Sequence, residues 1–310
     1  MRLCVDYRKL NSLMTKNKFL LPKIDTCLDT LNGCEFFSTC DLQWGYWQME
    51  IDERDRDKTA FVTWKGQWRF KVLSFSLANV PSQFASIMEL VMSGLTYDIC
   101  LVYLDDILVF SRTFDEHLEH VATVFDRLER YSIKLKPSKC SLFQSKVTFL
   151  GHIVSGRGIE CDKEKQVTIA TWPTPTSISE VRTFCGLADY YRAFIKDYAG
   201  KARPLHNVTK KGAVFNWTPD CEIAFLDLKH DLLTAPILVA PCDKGQYVLD
   251  TDASDTALGA VLQQEQGGKL HVIGYARRTL SPSEARYCIT RRELLRVVYG
   301  LKKYRQHLLG

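Results

Sequence analysis

Tyr103-Leu104-Asp105-Asp106 sets two adjacent carboxylates between two apolar runs, Ile99-Cys100-Leu101-Val102 and Ile107-Leu108-Val109-Phe110. Runs this short, β-branched and aromatic, predict the strands of a hairpin whose tight turn carries the acids. Two-residue hairpin turns favour Asn-Gly or Asp-Gly, because both central residues need positive φ. Asp-Asp suits that geometry poorly and places two negative charges side by side. A divalent cation, hard and oxygen-seeking, relieves such repulsion. Taken alone, the motif is equally a polar turn on a surface hairpin, so the rest of the chain has to decide.

The chain has 310 residues, enough for two or three domains with their own cores. Its hydrophobic content of 46% and charged content of 25% are those of a globular protein. No apolar stretch reaches the length of a membrane span, and Met1-Arg2-Leu3-Cys4-Val5-Asp6 carries no signal-peptide core, so an intracellular, cytoplasmic setting is expected. A net charge of +5 permits a polyanionic partner without requiring one. Eleven cysteines without a Cys-x-x-Cys pair point to reduced thiols, which makes the sequons at Asn207 and Asn216 incidental. His117 and His120 suggest a metal site, but Phe114 to Tyr131 is an amphipathic helix. Leu118, Val121, Val124, Phe125 and Leu128 form its apolar stripe, which assigns the histidines to the wet side.

The first half mixes strands and helices. Phe36 to Leu42 predicts a strand ending in Asp41, and Thr59–Thr63 with Gln67–Leu73 predicts a hairpin around Lys65-Gly66. A helix is expected from about Pro81 to Val91. Helices gathered on one side of strands make an α+β unit. Trp172-Pro173-Thr174-Pro175-Thr176 marks a boundary. Helices over 179–191 and 219–233 follow. A new β-rich unit opens at Tyr247-Val248-Leu249-Asp250-Thr251-Asp252 and continues through Leu258–Leu262. The last helix, from about Arg291 to Leu309, is expected to bury Leu294, Val297, Val298, Leu301, Tyr304 and Leu308.

In this order the segments resemble the reverse transcriptase of long-terminal-repeat retroelements, the gypsy type in particular, across essentially the whole chain. Arg2 to Asn11 resembles the fingers segment, and Phe37-Ser38-Thr39-Cys40-Asp41-Leu42 through Gly45-Tyr46-Trp47-Gln48 the first palm motif. Phe75 to Phe84 resembles the second motif and Tyr103 to Asp106 the third. Phe149-Leu150-Gly151-His152 is similar to the primer-grip hairpin, and Phe184 to Arg192 to a thumb segment. The fold this implies is a right-hand polymerase followed by a truncated ribonuclease H-like α/β unit. Its expected parts are fingers and palm over 1–154, thumb and connector over 155–235, and the ribonuclease H-like unit over 236–310.

The resemblance implies RNA-directed DNA polymerase activity on an RNA or DNA template with primer and deoxynucleoside triphosphates. The primer 3′-hydroxyl attacks the α-phosphate in line, aided by two Mg²⁺ ions, with Mn²⁺ as a substitute. By resemblance Asp41 and Asp105 are the principal ligands and Asp106 the third palm acid. Read alone, Asp41 is more often a strand-end or helix-capping residue. Tyr46 matches the aromatic that lies under the incoming sugar and excludes a 2′-hydroxyl, although a core aromatic has the same signature. Arg2 matches a triphosphate-clamping arginine. Phe75 and Gln83 border nucleotide and template. Leu150, Gly151, His152, Tyr190, Tyr191 and Arg192 are expected at the primer–template. Lys134, Lys136, Lys139 and Lys146 would meet duplex phosphates or form a solvated basic face.

Thr251-Asp252-Ala253-Ser254 resembles the first strand motif of ribonuclease H, with Asp250 as rival to Asp252. Glu293 matches the acid on the first helix, but Thr290-x-x-Glu293 is also a capping box. Both acids are expected to be catalytic and metal-binding. Ser74 and Ser76 stand where the family usually has Pro and Gly, and a serine in place of a positive-φ glycine adds strain. The missing upstream fingers lead to the expectation of an impaired polymerase, and the end at Gly310 to that of a vestigial nuclease. The competing readings are an inactive retroelement remnant that binds nucleic acid without turnover, and a nucleotide cyclase with a palm-like fold. The second is disfavoured by the thumb-like and Asp252 segments. Oligomeric state is left open.

Overall fold

The computed structural model describes residues 4–17, 19–31, 33–239, 241–242, 245–253 and 257–309. Arg2 and Ser254 lie outside the described residues. The chain forms two compact units, Met1–Phe149 and Leu150–Gly310.

The first unit is built on an antiparallel sheet. Its strands are β1 (Phe36–Asp41), β2 (Phe61–Thr63), β3 (Gly66–Trp68), β4 (Cys100–Tyr103), β5 (Asp106–Ser111), β6 (Ser141–Gln144) and β7 (Lys146–Phe149). The central order is β4-β5-β1-β6, with β2 and β3 as a separate hairpin. That hairpin is shorter than expected, because the residues after Trp68 leave it to bridge elsewhere: Glu50 pairs with Val72 and Met49 O accepts from Leu73 N. Alternation puts Cys40, Ile107 and Val109 on one sheet face, where they meet Phe84, Met88 and Val91 of the Val80–Val91 helix. Val121, Val124 and Leu128 of the Phe114–Arg130 helix complete this core. Pro81 lies in the first turn of the former helix, and a Thr113–Glu116 capping box opens the latter.

The Phe114–Arg130 helix corrects the expectation for its histidines. His117 is fully buried, held between the Ser38 Oγ at 2.7 Å and the Ser111 Oγ at 2.9 Å. Ser111 donates to the Thr113 carbonyl and Ser38 accepts from the Phe143 N–H. Each polar atom thus has a partner, which offsets the cost of burial. Burial, then the nearby His120, holds the His117 pKa below its ordinary value. His120 is half-buried and bonds the Phe110 carbonyl, while Leu118 and Phe125 are exposed. The helix is rotated about its axis relative to the hydrophobic stripe, because a satisfied histidine can be buried and the sheet offers it two serines.

The second unit contains the hairpin β8 (His152–Ser155) and β9 (Gly158–Cys161), a group of helices, and the antiparallel sheet β10 (Tyr247–Ala253), β11 (Ala257–Gln266) and β12 (Lys269–Thr279). The Ile178–Tyr190 and Pro219–Leu233 helices match their expected spans and pack through Phe184 and Phe225, with ring centroids 4.7 Å apart. Ser177 and Thr218 cap their N-termini.

The last long helix, Ile289–Lys303, lies on β10 and β11 through Gly300, where an added Cβ would stand 3.1 Å from Leu249 and 3.2 Å from Thr251. Tyr304 is buried and donates to the Gly274 carbonyl at 2.7 Å. The expected apolar face is turned outward instead, with Leu294, Val297, Val298 and Leu301 exposed. Close backbone approach, not side-chain bulk, decides this contact. The capping box expected at Thr290–Glu293 does not form: Cys288 is the N-cap without a side-chain cap bond, and Glu293 pairs with Arg296.

Candidate functional site

The acids of the first unit are placed by backbone register. β1 and β5 pair antiparallel with Asp41 opposite Asp106, and β4 pairs with β5 so that Tyr103 faces Asp106. Directly opposed residues share a sheet face with Cβ atoms about 4.5–5.5 Å apart. The central residues of the turn are therefore Leu104 and Asp105, not the two acids, and the positive φ of 55° falls on Leu104. A bulky side chain there is strained by about 1–2 kcal/mol. Asp105 thereby stands at the turn tip while Asp106 stays in the ladder.

Gly45 makes the close approach on the other side. It has a φ of 26°, and a Cβ on it would lie 3.5 Å from the Asp105 Cβ. The short turn Gly45–Gln48 next to it presents Tyr46, whose ring centroid is 5.1 Å from Phe84 and 5.4 Å from Phe75. Trp47 continues the row at 5.5 Å from Phe75. Burial first, then the Asp105 charge, raises the Tyr46 phenol above its ordinary pKa. Tyr46 and Phe75 are half-buried, and Gln83 is exposed in the first turn of the Val80–Val91 helix. Tyr46, Phe75 and Asp105 are thus neighbours.

The carboxylates are incompletely neutralised. Asp106 is held above the ordinary carboxylate range, first because protein atoms displace water around it, then by Asp105 and Asp41, with Lys139 opposing. Its side chain still reaches solvent. Lys139 Nζ lies 2.8 Å from Asp41 Oδ2, an attachment not foreseen for a lysine expected among duplex contacts. The Lys136 N–H donates to the Asp41 carbonyl at 2.9 Å, and Gln48 joins the carbonyls of Gln43 and Lys134. Among the described residues no three His, Cys, Asp or Glu side chains are gathered around one cation-sized point. The donor chemistry fits a hard divalent ion nevertheless: three carboxylates crowd one corner with a single lysine against them.

The serine anticipated as strained is so. Ser76 has a φ of 74°, and Asn11 clamps its turn by donating to the Ser76 carbonyl and accepting from the Ala78 N–H, both at 2.8 Å. Ser74 is buried with its hydroxyl on the Phe75 carbonyl.

Within the second unit, Leu150 and Gly151 both have positive φ. Tyr190 donates to the Leu150 carbonyl, and Tyr191 to the Gly151 carbonyl at 2.5 Å. His152, 4% exposed, stacks against Phe194 and packs on both tyrosines. These expected primer–template residues come together as a tyrosine clamp on one turn. Arg192 pairs with Asp189. In β10, Asp250 accepts from Gln263 at 2.7 Å. Asp252 is exposed opposite Gly259, on the strand face away from Leu249 and Thr251.

Comparison with known proteins supplies the lineage. The reverse transcriptase (RNA-dependent DNA polymerase) family matches residues 1–154, and the RNase H-like domain found in reverse transcriptase matches residues 217–310. The chain is 39% identical over its whole length to the retrovirus-related Pol polyprotein from transposon 297 of Drosophila melanogaster. It is 36% identical to that from transposon gypsy of the same organism. It spans 29% and 31% of those relatives' lengths. Among solved structures, the foamy viral protease-reverse transcriptase dRH in complex with double-stranded DNA aligns over the whole chain and 54% of its own, at 23% identity with a TM-score of 0.88. The same viral enzyme in complex with RNA/DNA hybrid aligns over the whole chain and 42% of its own, at 23% identity with a TM-score of 0.82. With its motifs in that order and its fold so matched, the chain belongs to the reverse transcriptase family of long-terminal-repeat retrotransposon Pol polyproteins.

Proposed function

We propose that this chain is the polymerase portion of such a polyprotein and extends a primer 3′-hydroxyl with deoxynucleotides on an RNA or DNA template. The observation that carries the reading is the register match of Asp41 with Asp106, beside the strained turn that lifts Asp105 against Gly45 and Tyr46. The reverse transcriptase family generally uses divalent metals. Asp41, Asp105 and Asp106 would hold two Mg²⁺ ions, or Mn²⁺ in their place. When bound, such ions activate the attacking oxygen and stabilise the leaving pyrophosphate.

The chain's own groups do the rest. An incoming cation would offset the charges of Asp105 and Asp41 that bear on Asp106. Lys139 neutralises Asp41 in the free protein and would yield that oxygen to the metal. Tyr46, braced by Phe75 and Phe84, offers a flat edge next to Asp105 that would stop a ribose 2′-hydroxyl. Gln83 and, outside the described residues, Arg2 would complete the nucleotide contacts. The foamy viral structures, solved with double-stranded DNA and RNA/DNA hybrid, support a duplex partner. Leu150, Gly151, His152, Tyr190, Tyr191 and Arg192 would shape the turn that supports the primer. We assign fingers and palm to 1–154, thumb to 155–235 and the ribonuclease H-like unit to 236–310. In that last unit Asp252 and Glu293 are the acids proposed for nuclease chemistry.

The test is Mg²⁺-dependent extension of a primed RNA template by the parent and by Asp105→Asn, with duplex binding measured in parallel. Extension should vanish in the variant while binding persists; equal extension by both refutes the assignment. The strained Ser76 favours one second reading, a binding protein without turnover, and a parent that binds duplex but extends no primer would establish it.

A further inference from the structure

Two thiols flank the acid corner on adjoining backbone segments. In the β1–β6 pairing Thr39 faces Ser141, and Cys40 and Cys140 are the residues next to that pair on the two segments. Opposed Cβ atoms on paired strands lie about 4.5–5.5 Å apart, so residues beside such a pair are near the separation a disulfide spans. The two side chains interact directly and pack in the same apolar cluster. Both are free thiols, Cys40 buried and Cys140 half-buried. Cys140 Sγ rests on the Lys136 carbonyl at 3.3 Å, a weak contact that leaves the sulfur able to turn. Cys40 precedes Asp41 and Cys140 follows Lys139, the residues joined by the ion pair.

We propose that Cys40 and Cys140 are a redox-sensitive pair, which a peroxide closes into a disulfide that pins the Lys139 turn to the Asp41 strand. Cys140, the more accessible sulfur, attacks the peroxide: an S–O bond forms, the O–O bond breaks, and hydroxide leaves to take up the thiol proton as water. Cys40 then attacks the Cys140 sulfur, forming S–S and breaking S–O, and its proton leaves with the departing hydroxide as a second water. Two thiols lose two electrons and one hydrogen peroxide becomes two waters. With the crosslink in place Lys139 cannot withdraw from Asp41, so the oxidised form is the inactive one. This last consequence rests on the polymerase reading; the crosslink does not.

The full chain is treated with hydrogen peroxide, its remaining thiols are alkylated, and its peptides are mapped by mass without reduction. A Cys40–Cys140 peptide should dominate, disappear after dithiothreitol and be abolished in Cys140→Ser. A dominant Cys40–Cys100 peptide, or Cys140 carried to sulfinic acid with Cys40 still alkylated, overturns the pair. Primer extension should fall with oxidation, recover with dithiothreitol and resist peroxide in Cys140→Ser. Undiminished extension by crosslinked protein overturns the regulatory role, while a parent without any extension speaks against the polymerase reading and leaves the peptide map to decide the pair.

Discussion

In the first unit Asp41 and Asp106 face each other across a backbone ladder, whereas in the second Asp252 and Glu293 sit on a strand and on a helix that meets the sheet through Gly300. Register sets the first arrangement. A one-residue slip would turn every side chain of β1 to the wrong face and expose Cys40 in place of Asp41, so the core that buries Cys40, Ile107 and Val109 also fixes the acids. The second arrangement depends on how closely a helix can approach a sheet. There the approach is made by a residue without a side chain, and the larger apolar groups of the helix are exposed. Strand pairing, once the core has set its register, fixes Asp41 and Asp106 residue by residue, whereas Glu293 follows wherever its helix docks.

The largest expected effect breaks the first site without disturbing its frame. Asp41→Asn should lower primer extension by orders of magnitude, since it removes a proposed metal ligand and the partner of Lys139. Thermal unfolding of the first unit should change little, and a variant that loses extension only because it no longer melts cooperatively would deny the acid a chemical role. Next comes the second unit. Gly300→Leu forces a side chain into the space held by Leu249 and Thr251 and should destabilise that unit by about 1–3 kcal/mol. Denaturant unfolding that shows no shift would mean the helix has room to move off the sheet.

A smaller change returns to the first unit. Ser76→Gly relieves the left-handed strain and should stabilise by about 1 kcal/mol, less what the freer glycine costs in the unfolded chain, read as a rise in melting temperature. The smallest effect concerns Glu284, which receives both Arg278 guanidinium nitrogens at 2.7 Å and is held down to about 2 by that pairing and by the Ser281 N–H. Its contribution is present above the unfolded value of 4.5 and is lost as pH falls through about 2. Glu284→Gln should flatten this acid limb of the stability profile, and parallel profiles for variant and parent would show that the half-buried pair contributes nothing.

How far the site could be read from residues differs by element. The third palm motif was readable because strand patterning and a carboxylate pair coincide within the twelve residues from Ile99 to Phe110. The Ser76 strain was visible only through the resemblance, because the family's usual glycine at that position takes positive φ without cost. Lys139 on Asp41 was not, since 98 residues separate them and nothing local marks a lysine for an ion pair. Nor were the hydroxyl partners of His117: a histidine between apolar residues looks the same whether its neighbours across the core are serines or solvent. The outward turn of the Ile289–Lys303 helix misled periodicity for a related reason. Periodicity measures the width of an apolar stripe, not which face finds the closest contact.

Sequence alone determined the strands that carry Asp41, Asp106 and Asp252, the starts of the Phe114–Arg130 and Pro219–Leu233 helices and the chemical kind of each acid, because these follow from backbone conformational preference and side-chain periodicity over a few residues. Only the tertiary structure decided which acid stands in the turn and which in the ladder, which lysine guards Asp41, and that Gly300 rather than a leucine seats the last helix. Those choices are made by contacts between distant segments, where register and the room left for a Cβ outweigh any local propensity.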